Sequence, residues 1–205
     1  MLQPTIFIVD DDPSVRKSLS RLIQSHGRQA LEFPSAEAFL QQHPPERPGC
    51  LILDLSMPGL DGLALQKELE AANILLPIIF ITGHGTIPSS VQAMKAGAVD
   101  FLTKPVGQDV LMRAIEAALE KDHLARQNRA EIASIEARLA ALTPREREVM
   151  TYVVSGKVNK QIAAALGTVE KTIKVHRSRL MQKLGVTSVA QLVKMAGRVG
   201  IVGPS

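Results

Sequence analysis

The chain has 205 residues, 45% of them hydrophobic and one of them a cysteine, Cys50. That length suits two domains better than one, and a lone cysteine excludes an internal disulfide. The net charge of +4 hides an asymmetry: residues 1–122 carry 10 Lys and Arg against 15 Asp and Glu, net −5, while residues 123–205 carry 14 against 5, net +9. An acidic half joined to a basic half points to two modules with different partners. The basic half suits nucleic acid or an anionic surface, or is an ordinary solvated face. The start, MLQPTIFIVDDD, lacks the basic and long apolar regions of a secretory signal. The longest nearly unbroken apolar run, ILLPIIFI at 74–81, is too short to cross a bilayer. The expectation is a soluble cytoplasmic protein with no membrane partner.

In chain order, short apolar runs appear at 5–9 (TIFIV), 50–53 (CLIL), 77–81 (PIIFI) and 99–102 (VDFL), with a weaker one at 28–33. Helical stretches separate them at 14–26, 35–42, 62–72 and 88–97, and another follows from 108. In the first, Val15, Leu19, Leu22 and Ile23 share a face. Strands alternating with helices predict βαβ units and a doubly wound, five-stranded parallel sheet. Unbroken apolar strands fit a sheet covered on both faces. Residues 108–140 contain neither Pro nor Gly, so one long helix is expected to leave the first domain as a linker. Ile132, Ile135, Leu139 and Leu142 keep a 3–4 spacing, which suits either a coiled-coil seam or a helix lying on its own protein.

The last segment restarts at LTPRERE: Thr143 as N-cap, Pro144 at N1 and Glu146 at N3 make a capping box. Helical patterns at 144–155, 159–166, near 170–184 and at 188–198 predict an all-α bundle of four short helices over 142–205.

In an open α/β sheet, ligands bind outside the C-terminal ends of the strands. The residues just past each apolar run are Asp10, Asp11 and Asp12, then Asp54, then Thr82, then Thr103 with Lys104. Clustered carboxylates are costly unless a cation offsets them, and hard oxygen ligands suit Mg²⁺. A carboxylate can also attack a phosphoryl donor, with a lysine and a hydroxyl holding the transferring oxygens. The plainer alternative is a structural ion-pair network. Asp12 precedes Pro13 and a helical run, so it reads as an N-cap rather than a ligand. Asp61 reads as a solvated or capping acid, Cys50 as core packing, and His84 as a loop residue rather than a phosphate relay.

The words VDD (9–11), LD (53–54) with MPG (57–59), ITGHG (81–85) and MKAGAVDFLTKP (94–105) together resemble the receiver domain of bacterial two-component response regulators. The resemblance covers about residues 4–122 and implies a flavodoxin-like fold. It implies that Asp54 is the phospho-acceptor, served by a partner histidine kinase. It implies that Asp11, Asp54 and the backbone carbonyl of Ser56 bind Mg²⁺ directly, with Asp10 acting mostly through water. By the same resemblance Lys104 contacts the phosphoryl group, and Thr82 and Phe101 are a switch pair. A receiver promotes only its own phosphorylation and dephosphorylation, so no turnover of external substrate is expected.

The basic segment 142–205 carries 11 Lys and Arg against 3 acids. Its helix–Gly–helix rhythm fits a helix-turn-helix, with 169–184 as recognition helix. There Ile173, Leu180 and Leu184 should pack inward, while Lys171, Lys174, Val175 and Ser178 lie on another face. Thr172 belongs with the candidate DNA contacts, and Arg177, Arg179 and Lys160 suit phosphates. With no Trp and one Tyr, a stacking platform for single strands is not expected.

The words LTPREREV (142–149), SGKVNKQIAAALG (155–167), KTIKVHRSRLMQKLGV (171–186) and AQLVKMA (190–196) resemble the LuxR-type helix-turn-helix. Joined to a receiver, the chain is similar to the FixJ/NarL class, with its FixJ branch favoured. That resemblance implies that Lys174, Val175 and Ser178 face the bases. One departure is Val169 where the family usually has a capping Ser or Thr; either Thr168 caps one residue early or the end frays. The reading is a phosphorylation-activated transcription factor: receiver 1–122, helical linker 123–141, DNA-binding domain 142–205. Phosphorylated, it is expected to form a homodimer through the fourth helix, fifth strand and fifth helix, with Val91 and Lys95 as contacts. It would then bind double-stranded promoter DNA and engage RNA polymerase. The rival classes are a metal-dependent phosphohydrolase and a phospho-regulated protein-interaction module.

Overall fold

The computed structural model describes residues 3–42, 47–83 and 86–202; His84 lies outside the described residues. Two compact units, Met1–Arg126 and Gln127–Ser205, divide the chain.

The first unit alternates β1 (Thr5–Val9), α1 (Pro13–Ser25), β2 (Gln29–Phe33), α2 (Ala36–Gln42), β3 (Gly49–Asp54), α3 (Gly62–Ala71), β4 (Ile78–Thr82), α4 (Ile87–Lys95), β5 (Asp100–Thr103) and the start of α5 (Gln108–Ala140). All strand pairs are parallel and the order is β2-β1-β3-β4-β5. The central strands β1, β3 and β4 are buried along their whole length, which is why they read as unbroken apolar runs. Side chains alternate across the sheet. Phe7, Val9, Leu51, Leu53 and Phe80 face one way, onto Phe39 of α2 and Leu65 and Leu69 of α3. Ile6, Ile8, Ile52, Ile79 and Ile81 face the other way, with Cys50, onto Ile23 of α1 and Leu111 and Ile115 of α5. Truncating one such aromatic, for example Phe80→Ala, costs about 3–5 kcal/mol.

Helix starts follow the local chemistry. Asp12 caps α1, its Oδ1 accepting from the Ser14 N–H at 2.7 Å, with Pro13 in the first turn. Asp61 caps α3 through the Ala64 N–H at 2.7 Å. At the opposite end of the sheet a buried acid with a partly exposed partner ties α5 to β3. Asp122 accepts from the Gly49 N–H at 2.9 Å and from Arg126 Nε at 2.8 Å, while Arg126 Nη2 donates to the Arg47 carbonyl at 2.9 Å.

The second unit comprises the last turns of α5, then α6 (Pro144–Val154), α7 (Asn159–Ala165), α8 (Glu170–Leu184) and α9 (Val189–Arg198). Ile135, Leu139 and Leu142 are buried in one core with Val149, Val153, Ile162, Leu180 and Leu192. Of the two uses open to the 3–4 spacing, packing on the chain's own helices accounts for these three residues. The capping box at α6 is complete. Thr143 Oγ1 accepts from the Glu146 N–H at 3.2 Å, and Glu146 Oε2 accepts from the Thr143 N–H at 2.9 Å. Lys183 Nζ donates to the same Oε2 at 2.7 Å. These contacts pull the Glu146 carboxyl down to about 2, led by the Lys183 hydrogen bond.

Candidate functional site: a carboxylate cluster and a basic helix face

Parallel register brings the strand-end residues together. Val9 lies opposite Leu53, and Asp54 lies opposite Ile81. Asp10, one residue past Val9, therefore sits beside Asp54, the last residue of β3. Thr82 ends β4 opposite Thr103, and Lys104 follows at once. Asp10 is 2% exposed, Asp54 6% and Thr82 fully buried, so the cluster is set into the edge of the sheet rather than solvated.

Asp10, Asp11 and Asp54 each present a carboxylate oxygen within 4.8 Å of the others. Lys104 Nζ donates to Asp10 Oδ2 at 2.7 Å and stands 3.5 Å from Asp54 Oδ1. The other oxygen of Asp10 accepts from the Asp12 N–H at 2.9 Å. Both Asp10 oxygens thus have partners already. Asp54 differs, for its buried Oδ1 makes no hydrogen bond among the described residues. Burial pushes the Asp54 carboxyl above the usual range, and the Asp10 charge adds to this, while Lys104 opposes it. Burial would lower the Lys104 ammonium, but its hydrogen bond to Asp10 and the charges of both acids outweigh it, so the net shift is upward. An orphaned oxygen in a triad of hard ligands fits a divalent cation or a transferring group.

The neighbours follow the same edge. Phe101 is half-buried, its ring 6.1 Å from that of Phe80. Ser56 is exposed on the loop after Asp54. Val91 and Lys95 are exposed on α4, where Ile87 and Met94 are exposed as well. Sequence reasoning missed three nearby features. Arg16 Nη1 donates to the Asp10 carbonyl at 2.6 Å. Gly62 opens α3 so close to the strand end that a Cβ there would strike the Asp54 carbonyl oxygen. Beside Lys104 a cleft of about 600 Å³ is lined by Val15, Leu19 and Leu22 of α1 and by Pro105 and Val106. The Val15–Leu19–Leu22 spacing was the available signal for that cleft, though it reads equally as core.

In the second unit α7 and α8 form the helix-turn-helix, with Gly167 in the turn at φ 63°. Ile173, Leu180 and Leu184 are fully buried, as their spacing predicts. Lys171, Lys174, Val175 and Ser178 are exposed together, Thr172 is half-buried beside them, and Lys160 and Arg179 are exposed. Arg177 is half-buried and donates to Asn159 Oδ1 of α7 at 2.7 Å, so it also braces the two helices. Val169 is the N-cap of α8 and supplies no side-chain cap. The helix begins at Glu170, and Thr168 does not cap it.

Two family matches coincide with these units: the response regulator receiver domain over residues 6–116, and the bacterial regulatory proteins of the luxR family over 140–196. Nodulation protein W of Bradyrhizobium diazoefficiens is 45% identical over 196 residues, covering 96% of this chain and 86% of that protein. The transcriptional regulatory protein FixJ of Rhizobium meliloti is 43% identical, with both chains covered completely (100%). Among solved structures, the response regulator StyR superposes with a TM-score of 0.87 at 46% identity, covering 96% of this chain and 99% of its own. Full-length FixJ from B. japonicum does so with a TM-score of 0.60 at 40% identity, covering 99% and 100%. The chain therefore belongs to the FixJ-type response regulators, transcriptional regulators that join a receiver domain to a LuxR-family DNA-binding domain.

Proposed function

We propose that Asp54 is the phospho-acceptor of this regulator and that its phosphorylation by a sensor histidine kinase switches the chain to a DNA-binding homodimer. The observation that carries this reading is the buried Oδ1 of Asp54, which has no hydrogen bond among the described residues and stands 3.5 Å from Lys104 Nζ. Asp54 attacks the phosphorus of a kinase phosphohistidine. An O–P bond forms as the P–N bond breaks, and the departing imidazole nitrogen takes up a proton from water. Lys104, 3.5 Å from Oδ1, needs little movement to hold a phosphoryl oxygen. Asp11, Asp54 and the Ser56 carbonyl would hold Mg²⁺, with Asp10 reached through water because its oxygens already accept from Lys104 and Asp12. When bound, the ion supplies charge neutralisation for the transferring group. Chemistry is confined to the chain's own phosphorylation and dephosphorylation.

Thr82 and Phe101 form the switch: the hydroxyl draws toward the phosphoryl group and the ring turns inward behind it. The switch biases two receiver states already in equilibrium. The α4–β5–α5 surface, with Val91 and Lys95, then pairs two copies. Pairing places two α8 helices on two half-sites. Lys174, Val175 and Ser178 face bases, with Lys171 and Thr172 beside them, and Lys160, Arg177 and Arg179 meet phosphates. The working division is receiver 1–122, linker 123–141 and DNA-binding domain 142–205. RNA polymerase is the downstream partner and the cytoplasm the place of action; among the described residues no helix is long and apolar enough to cross a membrane. The test is intact-mass measurement after incubation with a small phosphodonor and Mg²⁺. Wild type should gain a single phosphoryl group and Asp54→Asn none; labelling of the variant at the wild-type level would refute the assignment.

A further inference from the structure

We propose that Glu37 is a positioning residue for phosphoryl transfer: from the first turn of α2 its carboxylate holds the loop that follows Asp54 and carries the Ser56 carbonyl. The inference rests on the reading of Asp54 as phospho-acceptor and of Ser56 as a metal ligand. Ala36 and Phe39 are fully buried under the sheet, which fixes α2 and so the point from which Glu37 reaches. Glu37 Oε1 accepts from the Leu60 N–H at 3.0 Å, bridging 23 residues of sequence. It also lies against Gly59, whose φ is +78° and whose absent Cβ would come within 2.8 Å of that oxygen. Glycine there admits both the backbone conformation and the close approach of the carboxylate.

The loop is otherwise held from its inner side. Leu55 and Met57 are buried in the core, and the Gly62 N–H donates to the Leu55 carbonyl at 3.1 Å. Ser56, Pro58 and Gly59 are exposed. Among the described residues no other side chain from outside the loop hydrogen-bonds to it. Glu37 therefore decides how far the outer turn, with Ser56 at its head, can drift from Asp54. Outer partners that fix ligand orientation are commonly worth as much as a weak ligand. The Ser35 hydroxyl, the backbone N–H of Glu37 and that of Leu60 hold the Glu37 carboxyl below the usual range. It is ionised at neutral pH, and an ionised acceptor makes the stronger bond.

The test uses the full chain with Glu37→Ala, Glu37→Asp and Glu37→Gln. The chain has no Trp, so Mg²⁺ affinity is read by calorimetric titration and the phosphorylation rate by intact mass with acetyl phosphate. Glu37→Ala should weaken Mg²⁺ binding and slow phosphorylation roughly tenfold. Glu37→Asp keeps the charge but withdraws the oxygen, and should be impaired alike. Glu37→Gln keeps an acceptor for the Leu60 N–H, though an uncharged one, and should recover most of the loss. Melting curves accompany each; if the alanine variant fails to fold, the aspartate and glutamine pair decides. Wild-type behaviour of Glu37→Ala overturns the proposal, as does an aspartate variant that works beside a glutamine variant that does not. A wild-type chain that neither binds Mg²⁺ nor takes phosphate instead refutes the phospho-acceptor reading, and this inference falls with it.

Discussion

Asp54 and Glu146 are both buried carboxylates, and their surroundings push them in opposite directions. Burial, reinforced by Asp10 and opposed by Lys104, raises Asp54, and its Oδ1 makes no hydrogen bond among the described residues. Glu146 is 3% exposed, yet Lys183 and the Thr143 N–H share its Oε2 and hold it at about 2. The first acid lies at the strand-end edge of the sheet, with Lys104 3.5 Å from its Oδ1. The second sits in a helix cap, where the Thr143 N–H and Lys183 both bond to its Oε2. An unsatisfied buried group is costly, and proteins tolerate it chiefly where function needs it.

That contrast can be sharpened or broken by removing charges one at a time. Arg126→Ala leaves a third buried acid, Asp122, with the Gly49 N–H but without its partly exposed counter-charge, and should destabilise the receiver by about 2 kcal/mol in urea unfolding. A loss near zero would mean that Asp122 does not need its partner. Glu146→Ala removes half of a capping box and an ion pair, and should cost about 1–2 kcal/mol, confined to the C-terminal unit. The pH dependence follows from its lowered carboxyl. The stability Glu146 contributes is fully present above the unfolded value near 4.5 and is lost as pH falls toward about 2. Glu146→Gln should flatten acid unfolding across that window.

Asp54→Asn should act in the opposite sense. A raised carboxyl means that its ionised form is disfavoured in the fold, so stability falls as pH rises through the folded value. In Mg²⁺-free buffer at neutral pH the asparagine variant should melt a few degrees higher than wild type, and added Mg²⁺ should raise its melting temperature less than that of wild type. A lower melting temperature would place Asp54 with Glu146 as a structural acid. The smallest effect belongs to the basic face. Lys174→Ala should weaken specific binding by about 1 kcal/mol more than binding to random DNA. An equal loss on both would make Lys174 a phosphate contact.

Much of this was legible from the sequence because it follows from local rules. Strand ends in a parallel sheet share one edge, so Asp10, Asp54, Thr82 and Lys104 could be grouped from the apolar runs alone. Asp12 and Thr143 announce their helices by capping chemistry. What escaped was contact between distant segments: Glu37 on Leu60, and Asp122 on Gly49 across 73 residues. Periodicity names a buried face but not its partner, so Ile135 and Leu139 suited a two-chain seam as well as the core they enter. At Val169 the missing cap was readable, but whether Thr168 would replace it was not. Helix α8 starts at Glu170 behind Val169, with no side-chain cap, and buries Ile173 and Leu180.

Phosphorylation of Asp54 is expected to control the basic helix face. Gel filtration with parallel DNA footprinting, on wild type and Asp54→Asn, with and without phosphodonor and Mg²⁺, measures that directly. Phosphodonor should turn the wild type from monomer to dimer and produce a footprint of two half-sites, leaving Asp54→Asn unchanged in both assays. A wild type that dimerises and protects DNA equally without phosphodonor, or a variant that responds as wild type does, would contradict it.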